Sequence, residues 1–502
     1  MDSRPNSYAL AAPCLALSAT MFFLGTGLNP LWICTWLAAV PVLWLAPRVS
    51  ARYALFVSAA AYALGGLNEW SYSRQILPIW LVVSLLLLGA CLFGLAVVLF
   101  RRCVVRHKIW QAILIFPAFW VVVDYLIAKI SIHGTFGNIA YSQLNFLPIV
   151  QVASLTGIWG ISFCIFLFAS TTAAIFSTTL WSKKISGATV AILFLLFVFI
   201  FGVWRLAAAP KNAPTVKVAL MASSAKGNFF AESPEQLHAV LERYAEAMKP
   251  LVGRGIQLIV LPEHTGPVTD LSQGDADALL GAMARNTGAY VAIGIERIGA
   301  DLSRNQERIY SPNGSLLAIY NKHHMLPPFE SQFAPGTNTT VLDAPSGKWG
   351  VEICKDMDFP SLSREYSRDG IGMLIVSASD FVADGWLHGR MAVLRGIEGG
   401  FSIARSANLG ILTATDDRGR VLLERETITG PPFVTAIADL PVRRDDTIYS
   451  RFGDWFAWLS ILLFLIALLS PEQLRLTHSD HRIATSDLLD HPAKRELSRS
   501  TR

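Results

Sequence analysis

Up to Arg205 the chain carries 15 charged side chains, 12 basic and 3 acidic (Asp2, Glu69 and Asp124), whereas the remaining 297 residues carry 64. Between these sparse charges lie apolar runs at 10–28, 31–45, 54–67, 79–100, 109–127, 149–180 and 188–204, with a further run at 455–469. Crossing the ~30 Å hydrocarbon core of a bilayer takes about 20 apolar residues as a helix, which keeps its own backbone polar groups bonded there. The pattern predicts a polytopic α-helical membrane domain of about eight transmembrane helices, seven in 1–208 and a C-terminal one at 453–470. Because the first run is followed at once by another, a cleaved signal peptide is not expected.

The formal +5 is the sum of +9 in the front 205 residues and −4 in the rest. The pI near 8.8 is therefore no sign of a nucleic-acid partner, and none is expected. Only 16% of residues are charged and the mean hydropathy is +0.43, which excludes a purely soluble enzyme, a secreted disulfide scaffold and a disordered chain.

Basic residues near helix ends mark the cytoplasmic side. Arg4, then Arg48 and Arg52, then Arg101, Arg102, Arg106 and Lys108, then Lys183 and Lys184 fall on one side, and only Arg74 and Lys129 on the other. Both termini are then expected in the cytoplasm and the segment after Arg205 outside. The tail 471–502, with alternating charges and few apolar residues, is expected to be mostly disordered. Asp124, a lone carboxylate in an apolar run, reads as a helix-end residue near the headgroups in preference to a substrate contact.

From 215 to 445 short β-branched runs alternate with amphipathic stretches, which predicts an extracytoplasmic α/β domain. Strands are expected at 216–221, 257–261, 290–296, 309–320, 350–354, 373–377, 402–407 and 411–415, and helices at 234–251, 276–286, 361–368 and 386–399. Turns of hairpin type fit Pro312-Asn313-Gly314 and Asp417 with Gly419.

Cys354 is the only cysteine in this domain. A lone cysteine is usually an inert buried hydrophobe. Here an apolar strand stops at the cysteine and Pro360 opens a helix shortly after, a turn at which a thiol is exposed to backbone N–H groups and to Lys355, which would favour the thiolate. Two other strand ends carry matching chemistry: Leu258 to Glu263 ends in a carboxylate and Ala318 to Lys322 in an ammonium. Each alone reads as solvated surface, but with Cys354 they supply a base, a cation and a nucleophile, the set for acyl transfer. His323 and His324 lack further metal-ligand spacing, so neither a metal nor another cofactor is expected.

With these motifs, LPEHTG around Glu263, YNKHHMLPPFE around Lys322 and GVEICKDMDFP around Cys354, the chain resembles the nitrilase, or carbon-nitrogen hydrolase, superfamily. Its members carry a Glu, Lys, Cys triad in that order on an αββα sandwich. The stretch MAVLRGIEGGFSIARSANLG resembles the family's helix and following strand. The helical frame, with QVASLTGIWGISF and TIYSRFGDWFAW, narrows the resemblance to the apolipoprotein N-acyltransferase family, the membrane branch of the superfamily. The resemblance implies Glu263 as general base, Lys322 as oxyanion stabiliser, Cys354 as the acylated nucleophile and Glu330 as a second glutamate holding the lysine. Lys355 and Asp356 stand where the family has Tyr and Glu, and HGTFGN stands in place of Gly-Phe-Pro-Trp after the fifth helix.

It further implies a two-step transfer of a fatty acyl group in a bacterial inner membrane. The donor would be a phospholipid, the acceptor the amine of a diacylglyceryl-cysteine lipoprotein, and the enzyme a monomer in contact with membrane lipid. Phe329, Phe333, Trp386 and Leu387 fit a membrane-facing lid or, equally, core. The alternatives are a membrane-anchored amidase or an acyltransferase with another amine acceptor, and, less favoured, a non-enzymatic scaffold or transporter.

Overall fold

The computed structural model describes residues 6–177, 181–210, 213–227 and 230–469. The expected tail and Arg4 lie outside the described residues. Among the described residues, four helices are long and apolar enough to cross a membrane: Ile79–Val105, Ile109–Ile130, Ile158–Ser177 and Ser186–Ala207. Shorter apolar helical segments are Ala11–Gly25, Trp32–Arg48, Leu147–Thr156 and Trp455–Leu469. The expected run at 31–45 is two short helices, Trp32–Ala38 and Val40–Leu45, because Pro41 has no amide to continue the first. The run at 149–180 is broken at Gly157, whose φ of +67° ends one short helix before Ile158–Ser177 begins. Only glycine fits there, since a Cβ would stand 2.4 Å from the Tyr449 ring.

The described residues of the α/β part form thirteen strands in two sheets. Their ranges are β1 Thr215–Ser223, β2 Leu258–Val260, β3 Pro267–Thr269, β4 Tyr290–Ile298, β5 Arg304–Tyr310, β6 Leu316–Asn321, β7 Val341–Ala344, β8 Gly347–Ile353, β9 Met373–Ser379, β10 Ser402–Asn408, β11 Ile411–Thr415, β12 Val421–Glu426 and β13 Phe433–Pro441. One sheet runs β13-β1-β2-β4-β5-β6 with β3 beside β4, the other β12-β11-β10-β9-β8-β7. The single strand expected at 309–320 is the hairpin β5-β6, turned at Gly314 (φ +86°). The unexpected β13 pairs antiparallel with β1 along its whole length.

Alternation along β1 explains the layers. Val216, Val218 and Leu220 face the second sheet's Val351, Ile353 and Ile375, while Ala219 and Met221 face the helices Pro234–Met248 and Gln273–Thr287. On the far side, Leu374, Val376 and Ile403 pack under Leu362 and Tyr366 of the helix Pro360–Asp369. The expected αββα sandwich is the observed one. The helix Gly385–Gly399 is buried on both sides, with Ala392 against the second sheet and Leu387, Met391 and Leu394 in the core of the membrane helices. Of the four residues read as lid or core, Leu387 (3% exposed) and Phe333 (4%) are core, Trp386 packs against the membrane-helix core, and only Phe329 (49%) is exposed.

Candidate active site

Three strand ends converge. β2 runs into Leu261, Pro262 and Glu263, β6 into Lys322, and β8 stops at Ile353 so that Cys354 begins a short 3-10 turn. Cys354 holds φ +44°, a left-handed conformation uncommon for a residue with a Cβ and characteristic of functional turns. Its thiol donates to the Ser379 carbonyl at 3.7 Å, and the Ser379 amide donates to Glu263 Oε2 at 3.0 Å. One residue at the end of β9, Ser379, thus ties the Cys354 thiol to the Glu263 carboxylate.

Lys322 Nζ donates to Glu263 Oε1 at 2.7 Å and to Glu330 Oε1 and Oε2 at 2.9 and 2.8 Å. Asn305, on β5, donates to Oε1 of both glutamates at 2.7 Å, and the Leu326 amide donates to Glu330 Oε2 at 2.8 Å. Glu263, Lys322 and Glu330 are all buried. Burial alone would lower the ammonium, but the two carboxylates outweigh it and hold Lys322 well above the usual lysine value. Burial raises Glu330, yet Lys322 and His264 together bring its carboxyl far below the carboxylate range. His264 (φ +55°) bonds Glu296 at 2.6 Å and faces Glu330 Oε1 at 3.3 Å. Burial lowers it, but Glu263, Glu296 and Glu330 push it up to about 10.

Burial, then the charge of Glu263, pushes the Cys354 thiol well above its usual value, against the opposing pull of Lys322. This runs against the expectation of a thiolate favoured by Lys355: burial keeps Cys354 a thiol at rest. Lys355 is itself lowered by burial. Asp356 has a different task. Its buried carboxylate accepts from the Tyr320 hydroxyl at 2.8 Å, the Ile353 amide at 3.3 Å and the His324 amide at 2.9 Å, locking the strand end that carries Lys322 to the turn that carries Cys354.

Glu263, His264 and Glu330 place three metal-type ligand atoms together, but the cation between the two carboxylates is the Lys322 ammonium. His323 and His324 bond Asn338 and Asp356 instead. A second cluster next to the site links Arg405 to Asp380 and His388 to Asp384, and the hydroxyl of Tyr72, on the helix Trp70–Ile76, donates to Asp384 at 2.5 Å. Asp124 is bonded within the helical part, accepting from Ser162 at 3.0 Å. Sequence reasoning missed Asn305, His264 and Ser379. Asn305 and His264 carry one usable signal each, a polar side chain inside a strand and a histidine adjoining Glu263.

Two family models match consecutive stretches of the chain. The model of the apolipoprotein N-acyltransferase N-terminal domain covers residues 18–171 and that of the carbon-nitrogen hydrolases residues 217–444. The chain belongs to the apolipoprotein N-acyltransferase family. A curated family member from Geobacter metallireducens is 26% identical, over 92% of this chain and 94% of that one. One from Gloeobacter violaceus is 24% identical, over 81% and 80%. Among solved structures, Saccharomyces cerevisiae Nit3, of the nitrilase superfamily, is similar at 25% identity and TM-score 0.39, covering 46% of this chain and 93% of that one. Family and apolar helices together mark this apolipoprotein N-acyltransferase homologue as a bacterial membrane protein.

Proposed function

We propose that the protein moves a fatty acyl group from a phospholipid to the N-terminal amine of a diacylglyceryl-cysteine lipoprotein through a Cys354 thioester. The observation that carries this reading is Cys354 in a left-handed turn beside a buried Glu263-Lys322-Glu330 cluster, all on one scaffold with membrane-length helices. In the first half-reaction Glu263 takes the thiol proton as sulfur attacks the ester carbonyl, and Lys322 offsets the charge that grows on the carbonyl oxygen. The S–C bond forms, the C–O bond breaks, and the proton passes from Glu263 to the departing lysophospholipid. In the second, the lipoprotein amine attacks the thioester, Glu263 removes its proton, and the Cys354 thiol is restored with the amide formed.

Glu330 and Asn305 act as positioning residues: they fix Lys322 and Glu263 and leave the ammonium's charge directed at one point. The basic-residue asymmetry supports an extracytoplasmic catalytic domain at 215–445 and cytoplasmic termini. An engineered cysteine at Ser272, an N-terminal neighbour of the helix Gln273–Thr287, should then react with an impermeant thiol probe in intact cells; labelling only after permeabilisation reverses the orientation. The decisive test of function uses purified protein in phospholipid micelles. Intact mass should show one added acyl group and lysophospholipid should appear without any acceptor, and a diacylated lipopeptide should then discharge the enzyme. Absence of both signals overturns the reading.

A further inference from the structure

The loop 131–138 follows the helix Ile109–Ile130 and reaches from the membrane part to the turn that carries the nucleophile. Thr135 donates to the Asp358 carbonyl from its amide at 2.9 Å and from its hydroxyl at 2.8 Å. Gly134 (φ +52°) lies so close that a Cβ would stand 2.5 Å from the same oxygen. This seating brings His133 Nδ1 to 3.0 Å from Lys355 Nζ.

A lysine ammonium has three donors and no acceptor. At 3.0 Å, His133 Nδ1 must therefore accept, so the imidazole is neutral and carries its proton on Nε2. Burial, and then the Lys355 charge, hold His133 down at about 4, in keeping with this tautomer. The pair thus presents donors only: the remaining ammonium N–H groups and the imidazole Nε2–H. The Asp358 carboxylate comes no closer to Nζ than 3.7 Å, beyond hydrogen-bonding range, and its charge also faces His388, Arg395 and Lys322.

The other cations around Cys354 are closed by acids. Lys322 is held by Glu263 and Glu330, Arg405 by Asp380, His388 by Asp384, and His264 by Glu296. Among the described residues near the nucleophile, Lys355 is the cation with no carboxylate in hydrogen-bonding reach. A cation buried against a neutral partner is costly and gains most from an anion. If the turn needed only a filler, an apolar side chain of that length would serve it better. His133, half-buried, leaves the pair approachable.

We propose that Lys355 and His133 bind the phosphodiester of the phospholipid acyl donor. The inference rests on the reading above, in which the donor's ester lies against Cys354. A phosphodiester is a few bonds from that ester, and Lys355 is the residue next to Cys354. The lipoprotein acceptor has no phosphate, so the site distinguishes donor from acceptor.

The test compares phosphatidylglycerol with diacylglycerol bearing the same chains, in mixed micelles, reading Cys354 thioester formation by intact mass. Wild-type protein should prefer phosphatidylglycerol, with a KM lower by about tenfold or more, the scale of one hydrogen bond to a charged group. Lys355→Met should raise that KM by a similar factor and bring the two donors close to parity, and Lys355→Arg should keep most of the preference. His133→Phe, in the loop, should shift the preference the same way and so covers the case in which Lys355→Met fails to fold. Equal slowing with both donors in Lys355→Met and His133→Phe overturns the proposal and makes the pair a support for the turn. Inorganic phosphate that binds at the pair yet leaves the KM for phosphatidylglycerol unchanged makes it a free-phosphate site and overturns the lipid assignment. A wild-type protein that forms no thioester from any phospholipid sinks the parent reading instead, a result distinct from either.

Discussion

Cys354 stands between two buried lysines with opposite surroundings. Lys322, 2% exposed, has two carboxylates in hydrogen-bond contact and is held well above the usual lysine value. Lys355, 5% exposed, has a neutral imidazole in contact, a carboxylate at 3.7 Å, and is pulled down by burial. Burial is the same in both; partner chemistry decides the sign. The first lysine is fully paired, as its proposed part in the reaction requires. The second keeps unspent donors, which is what a binding group for an anion requires.

The largest effect should come from emptying the completed side. Lys322→Met leaves Glu263 and Glu330 buried with their shared counter-charge gone, which costs about 3–5 kcal/mol in comparable cases, and it removes the oxyanion partner as well. Thermal unfolding in detergent should show a large drop and intact mass no acyl-enzyme. Lys355→Met deletes a charge that burial already penalises, so its drop should be several-fold smaller. Equal drops would break the contrast.

The two glutamates sharpen the same side. Glu263→Gln should lose thioester formation as well as transfer, since general-base removal is worth about 10² to 10⁴ in rate and the thiol is pushed up, not down. Glu330→Gln keeps the shape and some hydrogen bonds to Lys322 and Leu326, and should retain more activity than Glu330→Ala. Acyl-enzyme formation and acceptor transfer, measured separately, decide both roles: near-normal thioester formation in Glu263→Gln removes it as base, and an unaffected Glu330→Ala leaves Glu330 a loop residue.

The legibility of this site follows from how far each contact reaches along the chain. Glu263, Lys322 and Cys354 were readable because an apolar strand that ends in a reactive group announces itself within six residues. The αββα layering was readable from alternation such as that of β1. Glu330 came only through the resemblance, since nothing local in PPFE separates a solvated acid from a buried one. Asn305, His264 and Ser379 act through neighbours made by β5 pairing with β6 and by β9 meeting β2, contacts that no local pattern records. Lys355 shows the same limit: adjacency in sequence points to a cation that lowers the thiol, whereas burial, visible only in the fold, raises it. Of the two readings open for Phe333, Trp386 and Leu387, lid or core, the structure takes core; for Trp386 and Leu387 the reason is that the helix Gly385–Gly399 lies between the sheet and the membrane helices and its apolar residues have two cores to fill.

The smallest expected effect is a difference in pH slope, and it tests the contrast most directly. Lys355 has a folded value below the ~10.4 of an unfolded lysine. In the window between those values the unfolded chain binds more protons, so this residue makes stability rise with pH. His264 has the opposite sign: its folded value near 10 lies above the ~6.5 of an unfolded histidine, so its contribution is complete below about pH 6.5 and is lost as pH climbs toward 10. Unfolding temperatures of wild type, Lys355→Met and His264→Gln should therefore diverge between pH 7 and 10. Against wild type, Lys355→Met should fall more steeply with pH, having lost a rising term, and His264→Gln less steeply, having lost a falling one. Groups that touch neither side chain are common to all three proteins and cancel in the differences, while the neighbours each variant disturbs, His133 and Glu330, lie well below this pH window. Parallel curves for Lys355→Met and wild type would mean that Lys355 is as well paired as Lys322, and the contrast that assigns it to a bound anion would be gone.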